Sequence, residues 1–290
     1  MPELPEVETL RRDLEKVIDG KVIKKVEVDW AKTVSPLSLL AFKKALTGDK
    51  FISVGRKAKM LYFKLKSGKY LLTHLKMTGQ LIYQEAGKKA QPIVGGHPQK
   101  GGADNLPNKF TRVAMEFVDG SRLFFNDMRK FGYMKLVDEK TAQDAFVKYG
   151  PEPLVSDFTL KYFTSILAKY PKRKLKQILL DQQLISGLGN IYVDESCFGA
   201  GVLPMRLAKS LSEMEVKKLY QEIKKVIKFS IEKRGTSFST YVHLNGGAGG
   251  FVPHLRVYGR KGERCKRCSG IINRIKLNGR GTHFCSDCQK

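Results

Sequence analysis

No run of about 20 apolar residues occurs in this 290-residue chain, so no stretch of it reads as a bilayer-spanning helix. The opening is also unlike a secretory leader, with its basic start and apolar middle. The chain opens Met1-Pro2-Glu3-Leu4-Pro5-Glu6, acidic and proline-rich, which points to the cytoplasm. Cysteine is scarce, at five residues, and free thiols are expected in that compartment. No internal repeat is found. Acidic residues are also in short supply: 28 Asp and Glu face 53 Lys and Arg, a formal charge of +25. So large a surplus makes a self-repelling surface that an anionic partner relieves. Nucleic acid is the commonest such partner, and an acidic membrane surface is the rival. Charge alone does not choose between them, because a basic surface can simply be a solvated one.

What is present suffices for a folded protein. A hydrophobic share of 42% is ordinary for a globular core, and the length suggests about two domains. A first domain is expected over 1–150, with a linker at Gly150-Pro151-Glu152-Pro153 and a second part to the end. After Pro5, Val7, Leu10, Leu14, Val17 and Ile18 form a helical stripe, with glutamates suited to the positive end of the helix dipole. The pattern then turns β-like. Strands are expected at 22–28 and 51–55, a hairpin from 61–65 and 70–74 around Ser67-Gly68, and another from 113–118 and 123–125 around Asp119-Gly120. Antiparallel strands with one helix suggest a two-sheet sandwich. The segment 87–108, rich in Gly, Pro and Lys, reads as a long loop. Helices are expected at 160–169, 175–183, 190–199 and 213–233, and 235–250 is again loop-like.

Cys265-x2-Cys268 and Cys285-x2-Cys288 are separated by sixteen residues, a spacing that places four thiolates around one tetrahedral zinc. Such a site is closed, so the metal is structural. The alternative is two disulfides or scattered buried cysteines. Cys197, alone on an expected helix, reads as a packing residue. The tail is basic too: residues 256–290 carry ten Lys and Arg against two acids, suited to lying along phosphates. Arg280 falls where a hairpin tip between the knuckles is expected. At the other end, removal of the initiator Met1 leaves Pro2 with a free secondary amine. Unperturbed α-amino groups titrate near about 8, so part is an unprotonated nucleophile at neutral pH, able to form a Schiff base. The alternative is a helix start, where proline is also favoured.

Taken together, these motifs resemble the formamidopyrimidine-DNA glycosylase family nearly end to end. The resemblance is carried by Met1-Pro-Glu-Leu-Pro-Glu-Val-Glu-Thr9, Arg56-Lys-Ala-Lys59, His74-Leu-Lys-Met77, Asp127-Met-Arg-Lys-Phe-Gly132 and Leu180-Asp-Gln-Gln-Leu-Ile-Ser-Gly-Leu-Gly-Asn-Ile-Tyr-Val-Asp-Glu195. Val257-Tyr-Gly-Arg-Lys-Gly-Glu263 and the four cysteines complete it. It implies an α+β fold: an antiparallel β-sandwich with an N-terminal helix (1–150), a helix-two-turn-helix region (151–233), then a lesion-capping loop and zinc-finger hairpin (234–290). It implies a base-excision-repair enzyme that removes oxidised purines, 8-oxoguanine and formamidopyrimidines, from double-stranded DNA and then cleaves the abasic site by β,δ-elimination.

Residue by residue, the resemblance makes Pro2 the nucleophile on C1′, Glu3 the acid/base, Glu6 a supporting carboxylate, and Lys59 a catalytic and phosphate-contacting lysine. Arg280 becomes the finger arginine near the flipped nucleotide. Met77, Arg129 and Phe131 match the wedge that fills the hole left by the everted base, although without the resemblance Met77 and Phe131 read as ordinary core packing. An arginine donating to the orphaned base favours cytosine. Lys176 and Asn190 match phosphate-gripping residues, with Gly187-Leu-Gly189 turning the backbone into a helix N-terminus that also faces phosphate. His74 and Lys109 join the DNA-contacting set. One structural Zn2+, no catalytic metal or organic cofactor, a monomer, no membrane and the bacterial cytoplasm complete the expectation. Two departures stand out: 87–108 is longer than the family usually carries, and Phe110 stands where a histidine is common. The rivals are the endonuclease VIII branch, which prefers oxidised pyrimidines, and a non-catalytic zinc-ribbon protein.

Overall fold

The computed structural model describes residues 2–87, 93–96, 103, 105–236 and 249–290, with backbone alone at 93–95. Its contacts divide it into two compact units, Met1–Val147 with Arg234–Gly250, and Lys148–Lys233 with Phe251–Lys290.

The first unit begins with α1 (Leu4–Ile18), opened by Pro5 in its first turn and burying Val7, Leu10, Leu14 and Ile18 along one stripe. It continues through β1 (Ile23–Val28), α2 (Leu39–Leu46), β2 (Phe51–Lys57), β3 (Met60–Leu65), β4 (Tyr70–His74), β5 (Gly79–Gln84), β6 (Ile93–Gly96), β7 (Thr111–Phe117), β8 (Arg122–Asp127), β9 (Tyr133–Val137) and α3 (Glu139–Phe146). A five-stranded sheet runs β1-β7-β8-β5-β6 and a four-stranded sheet runs β2-β3-β4-β9, every pair antiparallel. Phe51, Phe63 and Leu71 of one sheet meet Leu81, Phe117 and Phe125 of the other in a single core that α1 also enters. This is the expected sandwich. Both expected hairpins form around their glycine turns. Within 87–108, read as loop, residues 93–96 instead pair with β5 as an edge strand, since an uncovered sheet edge offers ladder partners even to a Gly-rich segment. Most of the remaining segment lies outside the described residues.

The second unit holds α4 (Leu160–Lys169), α5 (Leu175–Leu180), α6 (Asn190–Ala200) and α7 (Glu213–Glu232), then β10 (Ile272–Leu277) and β11 (Arg280–Cys285). α7 starts with a capping box: Ser212 Oγ accepts from the Glu215 amide at 3.3 Å and Glu215 Oε2 accepts from the Ser212 amide at 2.8 Å. α5 stops at Leu180, three residues short of expectation, because Asp181 leaves the helical region and its carboxylate takes the Gln183 amide in a turn. α6 is buried all round from Tyr192 to Ala200, so it carries no amphipathic stripe. Among the described residues, no helix is long and apolar enough to cross a membrane.

The observed division falls after Val147, and it forms two units where three regions were expected (1–150, 151–233 and 234–290). The described residues 234–236 and 249–250 group with the first unit, where Arg234 pairs with Asp13 and Thr236 bonds Glu6, and 251–290 groups with the helices of the second.

Candidate functional site

At the chain start, Pro2 and Glu3 are both buried, and Glu3 caps α1 in an extended conformation. Its amide donates to Glu6 Oε2 at 2.9 Å. The other Glu6 oxygen accepts from the Thr236 amide at 2.8 Å and the Thr236 hydroxyl at 2.9 Å. Glu6 therefore ties the residue after Pro2 to the base of the 237–248 segment, which itself lies outside the described residues. Thr236 was not singled out by sequence, although it lies in the segment expected to cap the substrate. Gly235 has φ +82°, and a Cβ there would stand 2.7 Å from Glu6 Oε1, so glycine alone lets the chain approach.

Lys59 occupies the two-residue turn between β2 and β3, where Lys57 pairs with Met60. Ala58 takes the left-handed conformation there, with φ 53°. Arg56 braces the turn by donating to the Ala58 carbonyl at 2.8 Å and pairing with Glu8 of α1 at 3.1 Å. Lys59 is buried, and its charge bears on His74 at the end of β4. Burial, and then the Lys76 and Lys59 charges, lower the His74 pKa to about 3. The ring is thus neutral, and its Nδ1 accepts from the Lys76 amide at 3.0 Å. Because the folded value lies below the ordinary 6.5, the native state binds fewer protons, and His74 stabilises it fully above pH 6.5 and progressively less as pH falls towards 3. Urea melts of the wild type should therefore lose about 2 kcal/mol between pH 7 and 5 on this account. His74→Asn, which keeps an acceptor for Lys76, should remove that share of the loss.

Met77 and Phe131 are 40% and 57% exposed, which excludes the core-packing alternative for both. Met128, not singled out by sequence, is 51% exposed beside them in the chain. The Arg129 guanidinium stacks 4.8 Å from the Phe131 ring centroid. Lys109 is exposed, with its ammonium 5.3 Å from the ring of Phe110.

In the second unit, Lys176 is 1% exposed rather than presented to solvent. Its ammonium pairs with Asp194 Oδ1 at 2.5 Å and donates to the Gly281 carbonyl at 3.1 Å, so a phosphate contact competes with two existing partners. Asn190 Nδ2 donates to the same carbonyl at 2.9 Å, while its Oδ1 has no hydrogen-bond partner among the described residues. Asn190 opens α6 after Gly189, and Gly187 takes φ +89° in the turn before it, so the sharp entry expected from Gly187-Leu-Gly189 is present. Asp194 Oδ2 accepts from the His283 amide at 2.8 Å. Glu195, fully buried, receives the amides of Arg256, Val257 and Tyr258 at 2.9–3.0 Å. Sequence reasoning passed over these two carboxylates, although two consecutive acids inside an otherwise apolar helix were the available signal.

β10 and β11 join through Asn278-Gly279, both at positive φ, the two-residue turn that hairpins favour. Arg280 follows immediately and is exposed, at the tip where it was expected. The four sulfurs of Cys265, Cys268, Cys285 and Cys288 lie within 4.8 Å of one another, with Cys268 to Cys285 at 3.5 Å and Cys265 to Cys288 at 3.8 Å. A tetrahedral zinc with Zn–S near 2.3 Å needs sulfurs about 3.8 Å apart, so the cluster fits that ion. Burial raises the Cys265 thiol, but amides led by that of Arg267 outweigh it and hold the group at about 7, while burial and the neighbouring sulfurs push Cys285 and Cys288 up. Cys197 is fully buried and its thiol is pushed up by burial, in keeping with packing.

Pro2 ahead of a capped helix, a helical second unit and a hairpin carrying four clustered cysteines together define a class, that of zinc-finger DNA-repair glycosylases. Residues 1–134 match the formamidopyrimidine-DNA glycosylase N-terminal domain, residues 149–242 the formamidopyrimidine-DNA glycosylase H2TH domain, and residues 262–290 a zinc finger found in FPG and IleRS. The formamidopyrimidine-DNA glycosylase of Halalkalibacterium halodurans is 42% identical over 294 residues, covering all of both chains. That of Bacillus subtilis is 39% identical over 292 residues, covering 100% of this chain and 99% of the relative. A crystal structure of a Lactococcus lactis FPG mutant in complex with Fapy-dG containing DNA superposes with a TM-score of 0.87 at 36% identity, covering both chains entirely. The Lactococcus lactis Fpg bound to abasic site containing DNA gives 0.87 and 36% over 99% of each chain. The chain belongs to the formamidopyrimidine-DNA glycosylase family. It is therefore a DNA-repair enzyme, a glycosylase and abasic-site lyase acting on damaged DNA, with an α+β fold ending in a zinc finger.

Proposed function

We propose that the enzyme excises oxidised purines, 8-oxoguanine and formamidopyrimidines, from duplex DNA through a Schiff base at Pro2. The observation that carries this reading is the buried Pro2-Glu3 start, fastened by Glu6 to Thr236. The Pro2 nitrogen attacks C1′ of the everted nucleotide, the N-glycosidic bond breaks, and the base leaves with a proton. Glu3 protonates the ring oxygen as the deoxyribose opens to the iminium. The C2′ proton is then acidic, and its removal expels the 3′ phosphate (β-elimination). A second elimination expels the 5′ phosphate. Lys59 supplies a desolvated cation for phosphate or base, and every step uses protein groups alone.

Met77, Arg129 and Phe131 act as the wedge, and Arg129 reads the orphaned cytosine. Asn190, Arg280 and Lys109 contact phosphates, and His74 sets the shape of the Met77 loop from within. Lys176 contributes by holding the Gly281 carbonyl next to Arg280. A single structural zinc supports the finger, and the protein works as a monomer in the bacterial cytoplasm.

Borohydride added to enzyme and a duplex with 8-oxoguanine opposite cytosine should reduce the iminium to a stable covalent adduct. A duplex with thymine glycol opposite adenine should give much less. The reverse preference assigns the enzyme to oxidised pyrimidines, and no adduct on either duplex rules the reading out.

A further inference from the structure

The exposed side chains proposed as the wedge sit on separate loops, Met77 between β4 and β5, and Arg129 with Phe131 between β8 and β9. Loops carrying bulky apolar groups into a base stack meet resistance, since every opened step costs stacking energy. Something must keep them from yielding. Lys76 and Lys130 each take positive φ, 51° and 58°, so neither loop rests in a backbone geometry that its own residues favour.

We propose that Asp127 is a positioning residue that locks the two loops into one rigid wedge, a role that rests on the glycosylase reading above. Asp127 ends β8 and is fully buried. Its Oδ1 accepts from the Thr78 hydroxyl, next to Met77, and from the Arg129 amide at 3.2 Å. Thr78 Oγ1 in turn accepts from the Arg129 amide at 3.1 Å. Asp127 Oδ2 accepts from the Gly132 amide at 2.7 Å, closing the loop just beyond Phe131. One carboxylate thus holds both ends of the 128–132 loop and the last residue of the Met77 loop.

The backbone of Asp127 is fixed as firmly. Its amide donates to the Phe110 carbonyl at 2.9 Å, and its carbonyl accepts from Arg112 Nε at 2.9 Å. Arg112 also donates to the Lys109 carbonyl at 3.0 Å and pairs with Asp29 at 2.8 Å. Gly132 completes the fit, since a Cβ there would come within 2.6 Å of Phe125 and 3.2 Å of Asp127 Oδ2. Lys130 is drawn aside, its ammonium 4.1 Å from the Trp30 ring, which leaves Arg129 and Phe131 as the pair that projects. Hydrogen bonds to a buried carboxylate are the strong kind, and here they cross between loops.

Thr78→Val removes the inter-loop hydroxyl at constant shape, Thr78→Ser keeps it, and Asp127→Asn removes the charge. Each is assayed in single turnover on a duplex with 8-oxoguanine opposite cytosine and 2-aminopurine beside the lesion, and on a single strand with a preformed abasic site, which has no stack to open. Thr78→Val and Asp127→Asn should slow both the fluorescence rise and excision on the duplex by about tenfold or more. On the single strand they should cleave at the wild-type rate, and Thr78→Ser should restore the duplex rate. Equal losses on both substrates mean a general structural role and overturn the proposal, as does a duplex rate unchanged by Thr78→Val. If Asp127→Asn does not fold, the Thr78 pair decides. A wild type inactive on both substrates overturns the glycosylase reading itself, an outcome distinct from any pattern among the variants.

Discussion

One extra residue coupled ahead of Pro2 should abolish lesion cleavage, with a loss of about 10³-fold or more, while binding to lesion DNA is kept. The extension turns a secondary amine into a tertiary amide whose lone pair is delocalised, and no iminium can form. The same chain should give no borohydride adduct even with a preformed abasic site. Glu3→Gln should behave differently. Its amide side chain cannot deliver the proton that opens the sugar, so excision should fall by about 10²–10⁴-fold, yet trapping on an already opened abasic aldehyde should persist. If the extended chain cleaves normally, the proposed nucleophile is wrong. If Glu3→Gln excises normally, the nucleophile stands and the acid lies elsewhere.

The second large effect concerns the finger. Cys268→Ser, or stripping with a strong chelator, should take bound zinc from one ion per chain to none and expose residues 255–290 to hydrogen exchange. Thiolate coordination contributes about 10–16 kcal/mol in isolated fingers, far more than the small apolar cluster of Phe198, Val257, Cys265, Ile272 and Cys285 can replace. DNA affinity should drop by about 10²-fold or more, because the hairpin that presents Arg280 loses its frame. Retention of full affinity by metal-free protein would falsify the assignment of the finger as a DNA contact. Retention of structure would show that the thiolates hold nothing essential.

Local pattern made much of this molecule readable before any coordinates. The stripe from Val7 to Ile18 and the glycine turns at Gly68 and Gly120 are short-range signals, and each produced the element it implied. The cysteine spacing likewise produced a cluster of zinc dimensions. Elements whose stability comes from distant partners were missed. β9 completes a sheet by pairing with β4, and β6 exists only as an edge on β5. α2 and α3 are eight-residue helices whose clearest local marks were the caps Ser38 and Asp138.

The candidate site divides the same way. Pro2, Glu3, Glu6 and the wedge residues stand in strings of sequence that resemble a known family. The groups that hold them, Thr236, Thr78 and Asp127, act across 230, 49 and 49 residues of chain, and Asp194 reaches Lys176 across 18; separation of that kind leaves no periodic trace. Lys176, placed on a phosphate by the resemblance, is also the counter-ion of buried Asp194, a pairing that no local pattern marks.

Asp194 and Glu195 also bear on how portable the finger is. Both lie on α6, outside the cysteine hairpin, yet Asp194 receives the His283 amide of β11 and Glu195 the three amides that lead into the finger. A finger excised at residue 255 and fused to a foreign DNA-binding scaffold would carry its cysteines but leave those donors without acceptors. Such a graft would take up metal and still lack the footing that aims its arginine. Engineering that borrows this hairpin must therefore transplant α6 along with it.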